Sequence, residues 1–79
     1  MSKTVTVNAF FDHDARVWVA SSDDVPGLVT EAHTIEALSE KLKVMIPELL
    51  DANGLGDGDD IPFHLLSELT AVAPRRTAG

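Results

Sequence analysis

The side chains able to do chemistry are thirteen carboxylates and three histidines, with no cysteine. Without thiols there is no cysteine nucleophile, no disulfide framework and no thiolate metal site. A two-metal hydrolytic centre needs several carboxylates converging on divalent ions roughly 4 Å apart. The first strand-like segment offers Asn8 and no acid at its centre, while Asp12 and Asp14 fall in one turn-like run and Asp23 and Asp24 in another. Convergence, and hydrolysis with it, is not expected. His13, His33 and His64 are scattered without ligand spacing. Asp12-His13-Asp14 could hold a metal weakly, and the reading preferred over this is a solvated hairpin tip. Asp57-Gly58-Asp59-Asp60 lacks the alternation and closing Glu of a calcium-binding hand and reads as a polar loop. No serine stands in a nucleophile elbow and no Gly-rich phosphate loop is present. The expectation is a protein without a catalytic site, a resident metal or a cofactor.

What remains is charge. The formal net charge is −7, and six Lys and Arg residues are too few to neutralise phosphates, so direct nucleic-acid binding is not expected. The same field would steer in a basic protein. Asp23, Asp24, Glu31, Glu36 and Glu40 gather near the expected third strand and helix start. They form either a solvated acidic face or a patch that docks a basic partner.

These residues are positioned by a short series of elements. From Lys3 to Phe11, Val5, Val7, Ala9 and Phe11 point one way and Thr4, Thr6, Asn8 and Phe10 the other, a strand. Asp12 to Ala15 is a hairpin-length interruption, and Arg16 to Ser21 a second strand. Pro26-Gly27 fits the centre of a type II turn before a third strand, Leu28 to His33. Thr34 is the expected N-cap of a helix whose apolar stripe is Ile35, Leu38, Leu42, Met45 and Leu49. Asn53-Gly54 ends it, and Pro47 predicts a kink or break within it. Ile61 to Val72 reads as a fourth strand, with a helix over Leu65 to Val72 as the alternative. The expected class is α+β: a three-stranded antiparallel meander, one helix kinked near Pro47, and a last strand, β-β-β-α-β.

A chain of 79 residues has room for one domain, expected over residues 1–72 with a disordered tail over 73–79. So short a chain buries only roughly 60% of its unfolded surface, and self-association is expected to supplement this. Phe10, Trp18 and Leu66 are placed on the sheet face away from the helix, where they either fill a dimer interface or show the faces to be assigned the wrong way round. No apolar run approaches the ~20 residues of a membrane span, and Met1-Ser2-Lys3-Thr4 does not begin a secretory signal, so a cytoplasmic location is expected.

The run from Val17 to Leu42, through Trp18, Asp24, Pro26, Gly27, Thr30, Glu31, Thr34 and Glu36, resembles the HicB-type antitoxin domain. It is closer still to a short branch of that superfamily known only as a domain of unknown function, and Ile61-Pro62-Phe63 is similar to the start of that branch's last strand. Nearly the whole chain is covered, to about Val72. The resemblance implies a partial ribonuclease H-like sheet of order 3-2-1-4 with the helix on one face. It implies an antitoxin, or a domain derived from one, that neutralises a small basic RNA-cleaving toxin by direct contact. The alternative is an orphan homodimeric adaptor without a toxin partner. Ala32 replaces the family's preferred Gly, and too few residues follow the last strand for a DNA-binding module, so direct operon repression is not expected.

Overall fold

Alternation along the first segment becomes strand β1, Val5–Asp12, in which Val5, Val7 and Ala9 are buried while Asn8 and Phe10 are exposed. The structure is a computed structural model, and it describes residues 4–56 and 58–76. Residues 1–3, Asp57 and residues 77–79 lie outside the described residues. The start of the expected first strand, one acid of the polar loop and the end of the expected tail are therefore not assessed.

β1 turns into β2, Val17–Ser21, through a four-residue loop. Asp12 builds that loop by accepting two N–H donors on one carboxylate oxygen, from Asp14 at 2.9 Å and Ala15 at 3.2 Å. Arg16 donates its N–H to the Asp12 carbonyl at 2.7 Å from a left-handed backbone, φ 58°. That conformation cannot continue a strand, so the loop spans residues 13–16, one residue later than expected. The Pro26-Gly27 turn forms with Leu28 N–H donating to the Val25 carbonyl at 3.1 Å and Gly27 at φ 82°. β3 is shorter than expected, Val29–Ala32.

Helix α1 runs from Ile35 to Ala52. The Thr34 hydroxyl accepts the Ala37 N–H at 3.0 Å, and Glu36 sits in the first turn. The helix is not broken at Pro47. One missing N–H costs less than losing the buried stripe that brackets it, Leu38 and Leu42 before and Ile46 and Leu50 around it. Fully burying each such side chain contributes about 1.5–3 kcal/mol. At the other end Leu55 N–H donates to the Leu50 carbonyl at 2.8 Å and Gly54 N–H to Asp51 at 3.1 Å, with Gly54 at φ 70°. These two bonds are the Schellman motif, and the left-handed residue it needs is the glycine.

The chain then returns as β4, Phe63–Glu68, a strand and not the alternative helix. The sheet order is β3-β2-β1-β4, antiparallel between β3, β2 and β1 and parallel between β1 and β4. The fold is α+β, with α1 covering one sheet face: its Leu38 and Leu42 share one core with Val7 and Ala20 of the sheet and with Val25 and Leu28 of the turn between β2 and β3. No polar or charged side chain is buried among the described residues. None of their helices is long and apolar enough to cross a membrane.

Register corrects one assignment. Trp18 pairs with Phe11 on one side and Ala32 on the other, so it points to the helix side and packs against the core. Its ring meets Phe11 edge to face, with centroids 5.4 Å apart. It does not share the open face with Phe10 and Leu66.

Candidate interaction surfaces

The five acids singled out in the sequence do not form one patch. Asp23 and Asp24 follow the end of β2, beside Val29, whereas Glu36 follows the opposite end of β3. Three strand steps, about 10 Å, separate those ends. Glu31 pairs with Val19, and through it with Phe10, so it lies on the open sheet face away from α1. Only Glu36 and Glu40 stand together, one helical turn apart on the exposed side of α1.

Asp24 has structural work within the chain. β2 ends at Ser21, opposite Asn8, leaving the Thr6 peptide groups without a strand partner on that side. Two side chains replace the missing ladder: Asp24 accepts the Thr6 N–H at 2.8 Å and the Ser22 hydroxyl donates to the Thr6 carbonyl at 2.6 Å. Asp24 N–H in turn donates to the Ser22 oxygen at 3.0 Å. Asp24→Ala is therefore expected to lower stability by about 1 kcal/mol, less than the ~1.5–3 kcal/mol of a hydrogen bond to a charged group because the site is exposed. Urea unfolding checks this, and an unchanged midpoint with unchanged slope would show the clamp to be dispensable.

Around Glu40 the surface is a shallow, mostly apolar trough between α1 and the edge strand β3, lined by Thr30, Ala37, Glu40, Lys41, Val44 and Met45. Glu40 pairs with Lys43 at 3.2 Å, both side chains well exposed, a contact worth little in water. Lys41 crosses from the helix to donate to the Glu31 carbonyl at 2.6 Å. A lysine over the β3 edge also discourages unwanted strand pairing. In the sequence Met45 was assigned to the core stripe and Ala37 and Val44 went unnoticed, although Val44 is an exposed apolar residue off that stripe.

The open sheet face is the second surface. Row by row it carries Glu31, Val19, Phe10 and Glu68, then Val29, Ser21, Asn8 and Leu66. Phe10 and Leu66 are each 54% exposed, and Val29 more so. An apolar centre thus lies between carboxylates on the two edge strands. Beside it His13 donates from Nε2 to the Thr70 carbonyl at 2.8 Å, its ring held edge-on to Phe11 at 5.1 Å. Among the described residues, no group of three or more histidines and carboxylates is placed to hold a metal ion.

The fold is shared with a solved structure. The chain is 49% identical to a hypothetical protein of the extremely thermophilic bacterium Thermus thermophilus, over 92% of this chain and all of that one, with a TM-score of 0.69. No curated protein matches. The family described as a domain of unknown function (DUF1902) matches residues 4–76, and the chain belongs to that family.

Proposed function

We propose that this chain is a HicB-like antitoxin, or a binding protein descended from one, that acts in the cytoplasm by neutralising a small basic RNA-cleaving protein through direct contact. The observation that carries the reading is the trough between β3 and α1. It offers apolar contact at Ala37, Val44 and Met45 beside Glu40 and Lys41, with Glu36 one helical turn before Glu40, on a chain of net charge −7. Apolar area gives such a site affinity, and the acids give it steering and choice of partner. The motif run from Trp18 to Glu36 and the β3-β2-β1-β4 order are the features the HicB resemblance led one to expect.

The test is a tagged pull-down from the source cells at moderate salt, with recovered proteins identified by mass spectrometry and freed partners assayed for RNA cleavage. A small basic ribonuclease is expected. Glu36→Lys with Glu40→Lys is expected to weaken its binding at least about tenfold while the circular dichroism of the helix persists. Recovery of no basic protein, or affinity unchanged in the double variant, would overturn the reading.

A second reading, a homodimeric adaptor without a toxin partner, is favoured by the open face. Phe10 and Leu66 are large apolar side chains on a surface that nothing in the chain covers among the described residues.

A further inference from the structure

Residues 69–76 follow β4 without regular structure, and every one of them is exposed. They do not fold back over the sheet. The His13–Thr70 hydrogen bond holds their root at the hairpin tip, where β1 ends. β4 runs parallel to β1, so the chain leaves the sheet in the direction of that tip and continues past it. The molecule is elongated, 63 × 24 × 19 Å, whereas β1 and α1 are each only about 27 Å long. The radius of gyration, 16.1 Å, exceeds the ~12 Å of a compact chain of this length.

This arm differs from the body in chemistry. It carries Val72, at 87% the most exposed large apolar side chain among the described residues, then Pro74, and Arg75 and Arg76, two of the six basic residues of an acidic chain. The open face carries the complement, an apolar centre of Phe10, Val19 and Leu66 between Glu31 and Glu68. Four strands at ~4.8 Å spacing make a face an extended eight-residue arm can cross. To reach its own face the arm would have to reverse just after Thr70, against the direction in which β4 leaves the sheet.

We propose that two copies of this chain pair by exchanging arms. Residues 71–76 of each lie across the open sheet face of the other, seating Val72 and Pro74 against Phe10, Val19 and Leu66. Arg75 and Arg76 meet Glu31 and Glu68. The contact is isologous, each copy giving an arm and receiving one, so it closes at two. The pairing builds on the adaptor reading and leaves the trough on α1 free, so it is independent of any basic partner.

The test uses the full chain. Sedimentation equilibrium is expected to show a dimer that Val72→Asp, or Arg75→Glu with Arg76→Glu, weakens at least about tenfold. Adding Glu31→Arg and Glu68→Arg to the latter pair is expected to restore it. The chain has no cysteine, so Val72→Cys and Leu66→Cys can be placed in separate copies and mixed under oxidation. A cross-linked heterodimer is expected. A wild-type monomer at all concentrations overturns both the exchange and the adaptor reading. A dimer indifferent to the arm variants, or a Val72–Leu66 link forming within one doubly substituted chain, overturns the exchange and leaves pairing by another surface.

Discussion

Leu42→Ala is expected to lower stability by about 2–5 kcal/mol, a large share of the ~5–15 kcal/mol that holds a domain of this size together. Leu42 is fully buried at the middle of the α1 stripe, with Leu38 and Ile46 one turn to either side and the β1–β2 core beneath. Truncation removes transfer free energy and leaves a cavity, and neighbours drawn from both a helix and a sheet cannot close on it without parting from each other. In thermal unfolding the midpoint should fall by about 10 °C or more, since 1 kcal/mol moves a small domain by about 4–8 °C. Val44→Ala, on the exposed side of the same helix, is the control and should change stability by no more than about 0.5 kcal/mol. Equal effects of the two would show that the helix does not present this face to the sheet.

Trp18→Ala should also destabilise the fold, by about 2–4 kcal/mol, the lower part of the range for aromatic truncation because the side chain is half-buried. The ring packs on the core and meets Phe11 edge to face at 5.4 Å, and Phe11 in turn positions His13. Phe10→Ala, one residue from Phe11 but on the other side of the sheet, should barely change monomer stability. Urea unfolding at protein concentrations low enough to hold the monomer separates the two. A Trp18→Ala midpoint like that of wild type would return Trp18 to the outer face.

Much of this was legible in the residues. Alternation marked β1 and β2, Pro26-Gly27 marked the turn, and Thr34 and Asn53-Gly54 marked both helix ends, because each is a local steric or hydrogen-bonding preference. Trp18 was misplaced although the signal was present. A hairpin loop with an even number of residues pairs an even-numbered position with an odd-numbered one, so Trp18 had to share a face with Phe11 or Ala9. The Asp24–Thr6 clamp was not legible, since it depends on β2 stopping at Ser21. Pro47 was read as a kink or a break, and the break did not form because the buried stripe outweighs one missing N–H. The acids were near neighbours along the chain, but strand pleat and helix direction send Glu31, Asp24 and Glu36 to three different surfaces.

The parallel pairing of β1 with β4 has a consequence for how the molecule is made. Val5 pairs with Phe63, 58 positions later (63 − 5), so β1 receives one of its two neighbours only from β4, the last strand of the sheet in chain order. The meander and helix can assemble from contacts close in sequence, while one edge of β1 stays open until β4 has emerged. β4 itself is thinly anchored, with only Phe63 and Leu65 half-buried and the rest exposed. Nascent chains would thus present a bare β1 edge, flanked by Val5, Val7 and Phe10, until β4 has emerged. That interval is when a chaperone, or a strand from a neighbouring chain, competes best for the place β4 will take.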